Sequence, residues 1–227
     1  WDQAFQHAGD QPSVASVLSQ LMTMPASWDP KSTVLTDYQC DEIAAGRAAE
    51  LRFNQYTVLS LLGEGGMGKV FKARHIYLDA IHALKTIRRD RFGQAGTANP
   101  EVIHTMVKRF LGEFRGMAKL LVAKDPEHFA QVHDAGEADG IPYYAMEFID
   151  GESLDDKIRA NMKNNELPSL EESLTLFAEV ADAVGTAHDL NIVHRDLTPS
   201  NIMITRRGRP KIIDFGIAKE LKRDEET

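Results

Sequence analysis

Asp196 and Asn201 stand five positions apart in the stretch HRDLTPSN (His194 to Asn201), and a second acid, Asp214, follows in IIDFGIAK. Asp196 is suited to accept a proton from a hydroxyl, while Asn201 and Asp214 carry the hard oxygen atoms that Mg²⁺ prefers. Far upstream, GEGGMGKV (Gly63 to Val70) has the spacing G-x-G-x-x-G-x-V, whose amides are bare enough of side chains to fold over phosphates. Lys85, in HALK, is a cation that could reach such phosphates, and Glu113 is an acid that could hold it in place. Taken singly, each has a bland reading: a turn residue, a hairpin glycine, a solvated strand lysine. Their order along the chain has to be weighed against the elements that would carry them.

From Tyr56 the pattern has period two and is rich in β-branched and aromatic residues. YTVLSLLGEGG, GKVFKARHI and IHALKTI read as three consecutive antiparallel strands, the first two joined by the glycine turn. The glycine spacing therefore lies between two strands rather than between a strand and a helix, which argues against a dinucleotide fold. NPEVIHTMVKRFLGEFRGMAKLL reads as a helix with Asn99 as its cap and Pro100 at its first position, and Met106, Phe110, Met117 and Leu120 share one face. Glu113 falls on that same face, where a carboxylate is costly to bury unless a cation such as Lys85 pairs with it. HFAQVHDAGEADGIPYYAMEFIDG supplies two more strands around Asp139-Gly140. In SLEESLTLFAEVADAVGTAH, Ser169 and Glu172 form a capping box, and Leu170, Leu174, Phe177, Ala181 and Val184 are expected as a buried stripe. A small sheet followed by helices is the segregation of an α+β chain in two lobes. Ahead of it, Val14, Val17, Leu18 and Leu21 suggest a short helix in a loose region, and Thr36 is placed to cap a second helix in a packing appendage.

With 227 residues, 43% apolar and 26% charged, the chain can bury a substantial core. Its net charge of −8 leaves no electrostatic footprint for nucleic acid and would on average be repelled by an acidic membrane surface. The single cysteine, Cys40, excludes an intramolecular disulfide framework and fits a reducing, cytoplasmic setting. No apolar run approaches the roughly 18 residues needed to span a bilayer, and the first residues lack the order of a signal peptide. Beginning at Trp1 and stopping at Thr227 in a charged run, the chain looks cut at both ends. His75, His82, His104 and His133 have no metal-like spacing and read as surface or packing residues.

Glycine loop, strand lysine, helix glutamate, H-R-D-x-x-x-x-N and D-F-G occur in the order of the protein-kinase signature. From about Tyr56 to Lys219 the chain resembles the eukaryotic-like (Hanks-type) protein kinases, above all the bacterial serine/threonine members. The helical lead-in LTDYQCDEIAAGRAAEL is similar to those of some large multidomain bacterial kinases. The resemblance implies an α+β, bilobal protein-kinase-like fold, with an antiparallel N-lobe sheet and one helix over 56–149. It implies a partial helical C-lobe over 150–227, truncated after the DFG motif, and a helical or loose extension over 1–55. ATP and Mg²⁺ are the implied cofactors. Leu62, Gly63, Glu64, Gly65, Gly66, Met67, Gly68, Val70, Ala83, Lys85, Met146, Glu147, Ile149 and Met203 would surround the nucleotide. Gly63, Gly65 and Gly68 would cover its phosphates, Lys85 would contact them while paired to Glu113, Met146 would be the gatekeeper, and Glu147 and Ile149 would offer backbone groups to adenine. Asp196 would take the substrate proton, and Asn201 and Asp214 would hold the metal.

Three departures stand out. Thr198 occupies the position where serine/threonine kinases usually carry a lysine, so a slower enzyme is expected. Glu113 lies 28 positions beyond Lys85, with RFGQAGTAN as an insertion. No full activation segment follows Asp214 before the chain ends. The expected activity is transfer of the γ-phosphoryl group of Mg-ATP to serine or threonine hydroxyls of a protein substrate. A nucleotide-binding pseudokinase and a small-molecule phosphotransferase are the rival readings. Arg195 suggests control by activation-loop phosphorylation, because a buried arginine there would require an anion. A longer protein would have room for a dimerisation or sensor domain and a membrane anchor.

Overall fold

β-Branched and aromatic residues at alternate positions build a six-stranded sheet in the order β1-β2-β3-β4-β6-β5, formed by β1 (Arg52–Phe53), β2 (Tyr56–Glu64), β3 (Gly68–His75), β4 (Ala80–Ile87), β5 (Val132–Ala138) and β6 (Ile141–Glu147). The structure is a computed structural model and describes residues 35–65, 68–88, 100–123 and 125–215. The expected short helix around Val14 to Leu21, the cap at Asn99 and the insertion RFGQAGTAN lie outside the described residues. The three consecutive antiparallel strands occur as expected, β2 against β3 and β3 against β4. β5 and β6 meet at Asp139 and Gly140, whose φ angles of 50° and 76° suit the left-handed positions of a tight two-residue hairpin turn.

Two compact units divide the chain: one holds the residues up to Met106 with His133–Phe148, the other Val107–Val132 with Ile149 onward. In the first, Leu51, Phe53, Tyr56, Val58, Phe71, Leu84 and Tyr143 form the sheet's core, each 2% exposed or less. Helix α1 (Asp37–Ala44) belongs to this unit. Thr36 caps it as expected, and Gln39 completes a capping box that the sequence reading did not anticipate.

In the second unit, α2 (Pro100–Leu120) enters from the first at Val107 and buries Phe110, Glu113, Met117 and Leu120, so the carboxylate does lie on the apolar face. A three-stranded antiparallel sheet of β7 (Gly151–Ser153), β8 (Ile202–Thr205) and β9 (Pro210–Ile212) accompanies α3 (Leu154–Asn164) and α4 (Leu170–Asp189). Ser169 and Glu172 make the expected capping box on α4. The expected stripe on that helix is wrong, however. Leu170, Leu174 and Phe177 are 76%, 60% and 69% exposed and Ala181 is also exposed, whereas Val180, Ala183 and Ala187 are buried. Helical spacing identifies an apolar face but not the element that covers it.

Candidate functional site

Two strands and a tight approach define the glycine hairpin in the first unit. Gly63 pairs with Val70 and Glu64 with Lys69 across it, and the amide of Gly65 donates to the carbonyl of Gly68 over 2.9 Å. The three motif glycines differ in what holds them. A Cβ at Gly68 would lie 2.3 Å from the Thr86 carbonyl oxygen of β4, so the sheet itself demands glycine there. At Gly63 and Gly65 a Cβ would meet nothing within 4 Å. The protein's own packing does not explain these two, and open backbone of this kind is what phosphate oxygens need for close approach. Gly66 and Met67 lie outside the described residues. Leu62 and Glu64 are exposed on the same hairpin.

Register then sets the remaining first-unit residues side by side. Val70 of β3 faces Lys85 of β4, and Ala83 pairs with Lys72 on one side and Met146 of β6 on the other. Glu147 pairs with His82. Met146 and Ala83 are buried, while Val70 and Lys85 are half-buried. The glycine hairpin, the strand lysine and the candidate adenine-binding strand are therefore three successive neighbours of one sheet.

In the second unit Asn201 is the organising residue. Its Nδ2 donates to the backbone oxygen of Asp196 over 2.8 Å, and its own carbonyl accepts from the amide of Ile213 over 2.9 Å, next to Asp214. Asn201 thus fixes the Asp196 backbone through its side chain and the neighbour of Asp214 through its main chain, and its Oδ1 can accept a further partner. Arg195 and Asp214 both occupy left-handed backbone, at φ of 62° and 55°, a conformation that costs about 1–3 kcal/mol each and tends to accompany function. Met203 of β8 pairs with Lys211 of β9, and Ile149 begins the chain's return into this unit. Arg195 is exposed, not buried as the pairing argument supposed, and with Arg115 and Lys119 it lines a cavity of about 200 Å³. Thr198 shares a 2.8 Å hydrogen bond with Ser200 and brings no charge to the loop.

Sequence reasoning gave no role to His194 and Phe215, which seat the two loops. His194 is 4% exposed, its Nε2 donates to the Ile213 oxygen over 3.0 Å, and its ring lies 4.7 Å from that of Phe215. Phe215 in turn packs at 5.7 Å on Phe129. Burial is the main cause holding the His194 imidazole below its ordinary pKa, so the neutral ring is favoured. The apolar residue inside D-F-G was the available signal for this packing.

A model described as the protein kinase domain matches residues 56–227. The chain belongs to the protein kinase family. Its relatives within that family are bacterial serine/threonine kinases. It is 33% identical over 167 residues to the serine/threonine-protein kinase PrkC of Bacillus subtilis, covering 74% of this chain and 23% of that one. It is 38% identical over 168 residues to a probable serine/threonine-protein kinase, CPE1738, of Clostridium perfringens, covering 74% and 22%. The solved PknI kinase domain of Mycobacterium tuberculosis superposes with a TM-score of 0.56 at 29% identity, over 76% of this chain and 64% of that one. The chain thus spans less than a quarter of these two curated relatives and under two-thirds of the solved kinase. The kinase fold, with its antiparallel sheet and helices, is the α+β architecture expected from the sequence.

Proposed function

We propose that the protein is an ATP-dependent kinase that transfers the γ-phosphoryl group of Mg-ATP to serine or threonine hydroxyls of a protein substrate. The observation that carries this reading is the tie of Asn201 to Asp196 and to the segment of Asp214. The Asn201 side chain holds the Asp196 backbone and the β8–β9 pairing brings Asp214 beside it, which is the grouping that one proton acceptor and two oxygen ligands of a single device require. The open backbone at Gly63 and Gly65 fits a nucleotide's phosphates and supports the same reading.

In this reading the amides around Gly63, Gly65 and Gly68 orient the phosphates and Lys85 steadies them. Leu62, Val70 and Ala83 offer apolar surface to the adenine, which Glu147 binds through its backbone beside Met146. Asp196 holds the acceptor hydroxyl and takes its proton. Asn201 and Asp214 would hold Mg²⁺, which when bound supplies positive charge against the phosphates. Catalysis is then positioning plus charge neutralisation. No helix among the described residues is long and apolar enough to cross a membrane; a cytoplasmic setting, and sensor or dimerisation domains in the length the relatives have in excess, are part of this proposal.

Thr198 favours a second reading, a nucleotide-binding module without transfer activity, because its hydroxyl is engaged by Ser200 and carries no charge. Phosphoamino-acid analysis after incubation with labelled ATP separates the two. Phosphoserine or phosphothreonine that disappears in Asp196→Asn is the expected result, and nucleotide binding with no phosphoamino acid would establish the second reading instead.

A further inference from the structure

The match to the kinase domain begins at residue 56, yet Thr36, Gln39 and Glu50, all before it, make polar contacts with the two strands that carry the glycine hairpin. β1 pairs with β2 only at Tyr56 and Thr57. Beyond them the outer edge of β2 has no strand partner among the described residues, and the register against β3 slips between Val58 and Ser60, leaving Leu59 as a bulge. Carbonyls on such an edge need donors. Thr36 Oγ1 donates to the Leu59 oxygen over 2.7 Å, and Gln39 Nε2 donates to the Val58 oxygen over 2.6 Å. These are the two side chains of the α1 capping box, in which the Gln39 amide donates to Thr36 Oγ1 and the Thr36 amide donates to Gln39 Oε1. Thr36 Oγ1 thus accepts within the box and donates its one hydrogen to β2, while Gln39 accepts within the box through Oε1 and donates from Nε2 to β2. Gln39 is 4% exposed, so water does not compete for the contact.

The other arm is held by charge. Glu50, in the short 3-10 turn Ala48–Leu51, pairs with Lys69 over 2.7 Å, with only 16% and 19% of the two side chains exposed. Lys69 directly follows Gly68. Tyr38 of α1 packs at 6.4 Å on Phe71, and Ala48 and Leu51 are buried in the same core as Phe71. The segment thus grips β2 at Val58 and Leu59, ahead of Gly63, and β3 at Lys69 and Phe71, just after Gly68.

We propose that Thr36, Gln39 and Glu50 are positioning residues of the nucleotide site, which makes the segment preceding the kinase domain part of the ATP-binding machinery. This rests on the reading that the glycine hairpin takes ATP phosphates. Past Thr57, β2 is held by a strand on its β3 side alone among the described residues, and phosphate binding by backbone amides depends on the geometry of that strand.

The test compares the 227-residue chain with Gln39→Leu, Glu50→Gln and the charge-exchanged pair Glu50→Lys with Lys69→Glu. Two quantities are measured well below the melting temperature: amide hydrogen exchange across the sheet without nucleotide, and the Kd for Mg-ATP. Exchange in residues 58–72 should quicken in both single variants while β5 and β6 keep their rates, Kd should rise about three- to tenfold, and the exchanged pair should recover both relative to Glu50→Gln. Unchanged hairpin exchange, or exchange that quickens evenly over the sheet with Kd unmoved, would overturn the proposal. If the unmodified chain fails to bind Mg-ATP, the ATP reading falls and with it the assignment of these residues to an ATP site, whereas normal binding with unaltered variants removes the positioning role alone.

Discussion

Gly68 and Gly63 belong to one motif, yet their substitution should have opposite signatures. Gly68→Ala forces a Cβ against the Thr86 carbonyl at 2.3 Å, and such overpacking should cost about 1–3 kcal/mol of stability, read as a lowered urea midpoint. Gly63→Ala meets open space, so stability should stay within about 1 kcal/mol while Mg-ATP binding weakens. Equal losses of stability in the two variants would contradict this division. The residues of the candidate site were legible because proton acceptors, oxygen ligands and bare glycines are scarce types in a fixed order. Gln39 was not, because a glutamine near a helix start has many ordinary uses and only the fold brings it to the Val58 carbonyl. His194 and Phe215 were quoted as motif letters, but their ring packing is a matter of three dimensions.

At the scale of elements, strands were legible wherever period-two patterning met a turn that demanded glycine or a left-handed aspartate. The stripe on α4 was misread because its large residues, Leu170, Leu174 and Phe177, drew attention from the small ones, Val180, Ala183 and Ala187, that pack. Of the four histidines read as surface or packing residues, His75, His82 and His133 converge across β3, β4 and β5. The His82 ring lies 5.2 Å from that of His133, 6.2 Å from His75 and 5.6 Å from Tyr56, whose hydroxyl donates to Asp134 over 3.1 Å. Glu147 of β6 is its register partner, and its Nδ1 donates to the Ala80 oxygen over 3.2 Å. Burial first, and then the neighbouring imidazoles, hold the His82 pKa below the ordinary value near 6.5, with the Ala80 contact and Asp134 opposing. The unfolded chain then binds more protons than the folded one as pH falls below that ordinary value, so stability should be full above it and decline through the lowered folded pKa. Urea melts at pH 7.5 and 5.5 should show a loss on acidification that shrinks in His82→Leu; an unchanged pH profile in that variant would assign the loss elsewhere.

The whole molecule is two units, and the kinase signature is shared between them: the glycine hairpin, Lys85 and the candidate adenine-binding strand in one, Glu113, Asp196, Asn201 and Asp214 in the other. The order of motifs therefore carried more information than any local pattern, because it identified the family although its motifs are spread over both units. Burial within each half depended on partners that periodicity does not name, as α4 and α1 show from opposite sides, one less covered than expected and the other more closely bound to the candidate site. A thermal melt of the 227-residue chain with and without Mg-ATP tests the central claim most directly. At a ligand concentration 100 times its Kd the native state should gain about 2.7 kcal/mol, so a cooperative transition should move upward with Mg-ATP and stay in place for Lys85→Ala. A cooperative transition that Mg-ATP leaves unmoved in the unmodified chain would contradict the claim that these residues form a nucleotide site.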